Sequence, residues 1–179
     1  MRSTHVLMGV LLLASPCLAQ EEYQIRCEVY RFDQDARAKL FAKPDSGADA
    51  VRSLGRLRFE ASVPCRLGQQ GQVSRSRRIP FLTQTTNELA TSSSVQFLDV
   101  RDSFACTLIP RDEGPEVSLN LLLNDPSGEA AGLPIVAQRT LATSITLKPG
   151  TEALLYQGSG ADGEEALLVV IVRVTPLTR

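Results

Sequence analysis

Cysteines are the side chains of this chain best suited to chemistry, because histidine is almost missing. The chain has four cysteines, a single histidine (His5) and no tryptophan. His5 lies in an N-terminal segment that we expect to be removed. Without it the chain cannot build a Ser-His-Asp or Cys-His site, and it lacks the commonest metal ligand. The composition therefore excludes the most frequent kinds of catalytic and metal centre.

Carboxylate and Ser–Lys catalysis are the alternatives that this composition leaves. Two acidic pairs occur in polar stretches typical of solvated loops, Asp33 with Asp35 and Glu164 with Glu165. Ser144 and Lys148 share one face of an expected strand, but they lack the SxxK spacing. We predict that the chain is not an enzyme, with no catalytic residue, no cofactor and no metal site.

Three cysteines remain after the N-terminal segment, and two of them are expected to form a disulfide. Cys27, Cys65 and Cys106 each fall in a segment that alternates like a strand. Any of the three pairings would close a long loop, worth roughly 3–5 kcal/mol in the chain-entropy model. The third thiol would be a small buried side chain or available for an intermolecular bond. The cysteines have no CxxC spacing, which disfavours a metal site.

The N-terminal segment MRSTHVLMGVLLLASPCLAQ has the layout of a secretory signal peptide. Basic Arg2 precedes an apolar run over residues 6–14, which is too short to span a bilayer. We predict a signal peptide over residues 1–19, cleaved after Ala19. The alternative is that Cys17 becomes a lipidated N-terminus. We expect the protein to be exported to a bacterial periplasm or outer membrane.

Residues 20–179 are expected to form one domain, since a segment of that length buries one sizeable core. Without residues 1–19 the chain loses Arg2 from its 19 basic residues, which leaves 18 against 20 acidic residues, or a net charge of −2. Because basic and acidic residues are nearly equal in number, the net charge gives no electrostatic reason to expect nucleic acid or an anionic membrane as a partner.

Alternation of apolar and polar residues predicts a mostly β domain. Strands are predicted over residues 23–32, 57–67, 72–81, 95–100, 103–109, 117–123 and 166–174. Pro64 indicates that its strand lies at a sheet edge or carries a bulge, and residues 166–174 read as a central, covered strand. Residues 48–54 (ADAVRSL) predict one short helix, and residues 33–43 a helical turn or a loop.

Three connecting segments complete this prediction. Residues 83–94 (TQTTNELATSSS) are almost wholly polar and predict a mobile loop; the alternative is a flexible or assembly-dependent hairpin. Residues 124–132 are expected to be a loop. Residues 132–157 (GLPIVAQRTLATSITLKPGTEALLYQ) alternate, stop at Lys148-Pro149-Gly150 and resume, which predicts a β-hairpin.

The order of these segments resembles the homology domain of the secretins of type II and III secretion and type IV pilus systems. The matching segments are YQIRCEVYRF, ADAVRSL, VPCRLGQQGQ, RIPFLT, VQFLDVRDSFACTLIPR, PEVSLNLLL, GLPIVAQRTLATSITLKPG and LLVVIVRVTP. Arg101 departs from the usual Gly, and residues 157–165 (QGSGADGEE) stand where secretins carry a lip segment. The resemblance implies a secretin-like antiparallel β domain with one short helix, without the N-terminal ring-building modules.

The function that the resemblance implies is structural. We expect an assembly component of a bacterial envelope protein-secretion or type IV pilus system, which acts by pairing β-strands over residues 135–147 and 166–174. The residues expected to mediate assembly are Ile135, Arg139, Thr143, Leu147, Leu168 and Val170. The expected partner is a protein, either a second copy or a full-length outer-membrane secretin. We expect no nucleic acid, and membrane association only through assembly. The alternative is a stand-alone periplasmic β-sandwich that binds a ligand and has no channel role.

Overall fold

The computed structural model describes residues 21–42, 47–87, 90–112, 114–130, 133–157 and 167–177. The predicted signal peptide with His5 and Cys17, and the pair Glu164/Glu165, lie outside these residues. The described elements are β1 (Glu22–Phe32), α1 (Gln34–Phe41), α2 (Ala48–Leu54), β2 (Arg56–Arg66), β3 (Gln70–Asn87), β4 (Ala90–Ile109), β5 (Glu116–Ala130), β6 (Leu133–Thr146), β7 (Glu152–Gln157) and β8 (Leu167–Pro176).

These elements form three layers. The inner sheet has the strand order β2-β1-β8-β7, and the outer sheet has the order β3-β4-β5-β6. Every strand pair in both sheets is antiparallel. The two helices cover the face of the inner sheet that points away from the outer sheet. The predicted fold class, a mostly β antiparallel domain, is confirmed.

The described chain has two short helices where the sequence predicted one. Residues 48–54 form α2 as expected, and it ends at Gly55. Residues 34–41 form α1 because Asp33 accepts a hydrogen bond from the Ala36 N–H at 2.8 Å, which satisfies a donor at the start of the helix. Leu40 of α1 is buried against the inner sheet.

Alternation along β1 and β8 separates two hydrophobic cores. Ile25, Cys27 and Val29 face the outer sheet, and Tyr30 and Phe32 face the helices. β8 lies between β1 and β7 and is buried on both faces, which confirms that it is a central strand. β2 with Pro64 is an edge strand, also as predicted.

The predicted hairpin over residues 132–157 is wrong. β6 pairs with β5 in the outer sheet, whereas β7 pairs with β8 in the inner sheet. The turn at residues 148–150 therefore carries the chain from one sheet to the other. Buried Leu147 donates its N–H to the Pro115 carbonyl at 3.1 Å, and Gly150 donates to the Val174 carbonyl at 2.7 Å, so the two ends of the turn are held in different sheets.

Two predicted loops are strands instead. β3 and β4 pair continuously from Gln70↔Thr107 to Asn87↔Ala90, which corrects the mobile loop at residues 83–94 in favour of the hairpin. Strand pairing satisfies the backbone of the described part of this polar segment, and the Thr83 and Ser94 hydroxyls lie 2.8 Å apart across it. Residues 124–130, also predicted as a loop, continue β5 beyond a bulge at Pro126/Gly128.

Candidate assembly surface

The outer sheet ends in two long edge strands. β3 has 18 residues and β6 has 14, and in the described residues each pairs with a strand on one side alone. An edge strand presents backbone N–H and C=O groups that can pair with another chain. β3 and β6 are therefore the strands of the outer sheet that can offer an interaction surface.

Hydrogen bonds fix which residues of β6 point to the unpaired side. Odd-numbered residues point to β5: Leu147 donates to Pro115, and the Ile135 carbonyl accepts from Ser127. The Thr140 carbonyl instead accepts from Gln157 of β7, which lies outside the outer sheet. Because N–H and C=O of one residue point to the same side of an antiparallel strand, the even-numbered residues of β6 point their backbone groups outward.

The residue pairs between neighbouring strands extend this alternation from β6 through β5 and β4 to β3, and so determine which backbone groups of β3 point outward. Its odd-numbered residues point to β4 and its even-numbered residues point outward. Both edge strands place a proline at an outward position, Pro80 in β3 and Pro134 in β6. A proline lacks the N–H and therefore breaks a ladder hydrogen bond wherever that N–H would be paired. At an outward position of an edge strand no such bond is lost. The proline positions thus agree with the assignment.

The outer sheet divides into two arms. The β4–β5 ladder ends at Ser103↔Leu122, while the β3–β4 and β5–β6 ladders continue. We call residues 76–101 the first arm and residues 124–138 the second arm, each within its described part. At the division, which we call the fork, the Asn124 N–H donates to the Asp102 carboxylate at 2.8 Å in place of a β4 carbonyl.

Arg58 of the inner sheet pairs with both aspartates of the fork. It lies 3.1 Å from Asp102 and 2.6 Å from Asp125, and it also donates to the Asn124 carbonyl at 3.0 Å. Burial alone would lower the pKa of Arg58, but hydrogen bonds and charges of the two aspartates outweigh burial and raise it. Arg77 of β3 donates to the same Asn124 carbonyl. The fork therefore joins both sheets through one ion network.

Each arm exposes apolar side chains. Leu82 and Val95 lie opposite each other in the first arm and are 62% and 57% exposed, beside Phe97 at 60%. Val95 and Phe97 lie on the face of β4 opposite to its core residues, and Leu82 of β3 lies on the same face of the sheet. In the second arm, Leu133 and Ile135 are exposed on the face that continues the core. Exposed apolar side chains of this size next to an unpaired edge are typical of an interaction surface.

The six residues expected to mediate assembly separate into two groups. Ile135, Arg139 and Thr143 lie on the edge strand β6, exposed or half-buried. Leu147 is buried in the core directly after that strand. Leu168 and Val170 are buried in β8, whose backbone is paired on both sides. β8 is therefore corrected from an assembly strand to a core strand, because a central strand has no edge to offer.

Sequence reasoning missed the fork. Asp102 occupies an inward position of an alternating strand, where it is 2% exposed, and a carboxylate at such a position signals a buried partner. Arg58 and Asp125 lie 67 residues apart, and no sequence spacing indicates that pairing.

The three cysteines lie in the core between the two sheets. The Sγ atoms of Cys65 and Cys106 are 3.3 Å apart, and Cys27 belongs to the same core. In the described ranges no group of three histidine, cysteine or acidic side chains could hold a metal ion. Neither helix of the described part is long and apolar enough to cross a membrane.

Comparisons with known proteins give a likeness of architecture. No family model and no curated protein matches the chain. Among solved structures, the chain is similar to the type IV competence pilus secretin PilQ of V. cholerae, with a TM-score of 0.40 and 11% identity over 89% of this chain. The match covers 58% of the secretin chain. A similarity this distant carries no conclusion about function.

Proposed function

We propose that this chain is a structural component of a bacterial envelope protein-secretion or type IV pilus system, and that it assembles by pairing β6 of one copy with β3 of the next. The secretin-like order of its sequence segments supports the kind of apparatus. The unpaired edges of the outer sheet support the mechanism, and they are the observation that carries the proposal.

The strand count makes such pairing geometrically consistent. The outer sheet has four antiparallel strands, so β3 and β6 run in opposite directions. When a second copy keeps the orientation of the first, its β3 lies antiparallel to the β6 of the first. A head-to-tail contact of this kind uses two different surfaces, so it can be repeated by further copies until a ring closes. In this proposal Ile135, Arg139 and Thr143 select the partner through their side chains.

A stand-alone β-sandwich that binds a ligand is the second candidate function. Gln157 covers one outward carbonyl of β6, and Pro80 and Pro134 remove outward donors from both edges. Such features limit edge pairing in monomeric β proteins. This candidate predicts a monomer with no self-association.

Proline substitution at Ala142 tests the proposal. Ala142 is exposed and points its N–H outward, so Ala142→Pro removes an edge donor and no bond to β5. Ala142→Ser keeps the N–H and is the matched control. We expect the full chain and Ala142→Ser to form oligomers in size-exclusion chromatography with light scattering, and Ala142→Pro to lose them while it keeps its circular dichroism spectrum. A full chain that stays monomeric at every concentration contradicts the proposal and favours the sandwich.

A further inference from the structure

We propose that Cys65 and Cys106 form a disulfide that joins the inner sheet to the outer sheet, and that Cys27 remains a thiol. Cys65 lies in β2 and Cys106 in β4, with their Sγ atoms 3.3 Å apart. Both side chains are buried in the core between the sheets. The inference is independent of the proposed assembly.

The backbone near the pair brings the two strands together. Gly68 donates its N–H to the Leu108 carbonyl at 2.7 Å, and Leu67 forms an isolated bridge with Leu108. This contact joins the end of β2 to β4 two residues from each cysteine. The pair is therefore held across the sheets by main-chain hydrogen bonds, independently of any link between the sulfurs.

A glycine provides the space for the sulfurs. Gly71 lies directly opposite Cys106 in the β3–β4 ladder. A Cβ atom at this position would collide with the Cys65 Sγ and with Cγ1 of Val63. Only glycine at this position leaves room for the Cys65 sulfur where it lies, 3.3 Å from the Cys106 sulfur.

Cys27 lies in the same core, near enough to Cys106 for its charge to raise the pKa of the Cys106 thiol, but its neighbours across the two ladders are not cysteines. It lies opposite Ala61 on one side and Val172 on the other, and it is completely buried. Burial, and to a smaller extent the charge of Glu28, raises the pKa of Cys27 to about 12. The Cys27 thiol therefore stays protonated and unreactive. Its role is that of a small apolar side chain.

The bond forms by thiol–disulfide exchange with a disulfide oxidant, either a small molecule such as oxidised glutathione or a protein disulfide. One cysteine thiolate attacks an oxidant sulfur and releases the first oxidant thiolate. The second cysteine thiolate then attacks the mixed disulfide and releases the second. The two cysteine sulfurs are oxidised by two electrons in total, the oxidant is reduced to two thiols, and the two cysteine protons end on those thiols.

Burial sets the order of events. Burial, with the hydrogen bond that the Cys106 thiol shares with Cys65, raises the pKa of Cys106, so Cys106 stays protonated in the folded core, and the burial of both cysteines excludes the oxidant. The exchange therefore takes place before the two sheets close on each other. Once closed, the core protects the disulfide from reductants.

Tryptic mapping of the full chain tests the pairing. The chain is refolded with reduced and oxidised glutathione, its free thiols are alkylated in denaturant, and it is digested without reduction. Cleavage after arginine places Cys17, Cys27, Cys65 and Cys106 in separate peptides, over residues 3–26, 27–31, 59–66 and 102–111. We expect peptide 59–66 linked to peptide 102–111, with Cys27 alkylated.

Two variants control the mapping. Cys27→Ala should give the same linked peptide, and Cys106→Ala should leave Cys65 alkylated. The assignment is overturned if Cys65 and Cys106 are both alkylated in the unsubstituted chain, or if the linked peptide contains Cys27. The unsubstituted chain alone decides the result, so a variant that fails to fold does not affect the test.

Discussion

The fork is a buried cluster of charges in a mostly apolar core. Arg58 is 16% exposed and contacts two aspartates, of which Asp102 is almost completely buried. A buried carboxylate is tolerated because a cation and a backbone N–H satisfy it. Here the N–H is that of Asn124, which would otherwise lose its β4 partner where the ladder ends. The ion network therefore satisfies the Asn124 donor where the outer sheet divides, while the Nε of Arg77 is buried there without a hydrogen-bond partner among the described residues.

Removal of Arg58 should destabilise the whole domain. Arg58→Met leaves Asp102 buried without its cation, and we expect the free energy of unfolding to fall by about 3 kcal/mol. The control is Arg78→Met, because Arg78 and Asp99 form an ion pair on the surface, 73% and 71% exposed. That variant should change stability by less than about 0.5 kcal/mol. Equal losses in urea denaturation of the two variants would contradict this role of the fork.

A second charged residue, Glu28, holds α2 on the inner sheet. Arg52 of α2 lies 2.9 Å from Glu28 and 2.7 Å from Glu152 of β7. Burial alone would raise the pKa of Glu28, but the hydrogen bonds from Arg52 and Tyr30 and the charges of Arg52 and Arg26 outweigh it and lower the pKa. The charged form is therefore favoured in the folded state.

This lowered pKa predicts a pH dependence of stability. A carboxyl with a folded-state pKa below its ordinary value of 4.5 stabilises the fold above that pH and loses this contribution as the pH falls. Glu28→Gln should thus be less stable at neutral pH and should show a shallower loss of unfolding free energy below pH 4.5 than the unsubstituted protein. Parallel curves for the two proteins between pH 7 and pH 3 would refute the assignment.

At the scale of the elements, the proposed assembly depends on the edge strands β3 and β6, and the direction in which their backbone groups point can be tested. Arg75 and Ser76 are adjacent exposed residues of β3, with the Arg75 N–H directed to β4 and the Ser76 N–H directed outward. Arg75→Pro should cost about 1–3 kcal/mol because a ladder bond is lost. Ser76→Pro should leave the chemical denaturation midpoint nearly unchanged. The reverse order would show that the assignment of the edge is wrong.

The sequence predicts which segments are strands better than it predicts their partners. The alternation in β1 and the apolar run of β8 were sufficient to predict these two strands, because each pattern reflects the burial of that strand alone. The partner of β6 could not be predicted, since a turn at Lys148-Pro149-Gly150 suits a hairpin and a crossing between sheets equally well. The parts of the arms over residues 83–94 and 124–130 were predicted as loops for a related reason: cross-strand backbone pairing stabilises these mostly polar segments, and such pairing leaves no hydrophobic pattern in the sequence.

At the scale of the whole molecule, two packed cores support an outer sheet whose two edge strands are unpaired in the described residues. The cores and the fork stabilise the domain, while the arms extend the outer sheet beyond the cores with exposed apolar residues. The candidate site is thus a property of the topology: two edges of one sheet, far apart in sequence, become complementary because the sheet has an even number of strands. No short motif could have indicated this.

Mixing two edge variants tests the central claim most directly. Ala142→Pro blocks β6 and keeps β3, whereas Ser76→Pro blocks β3 and keeps β6. Each variant alone should be a monomer in size-exclusion chromatography with light scattering. An equimolar mixture should form a one-to-one dimer and no larger species, because one complementary pair of edges remains. A mixture that stays monomeric, or either variant that still forms oligomers alone, would contradict head-to-tail pairing of β6 with β3.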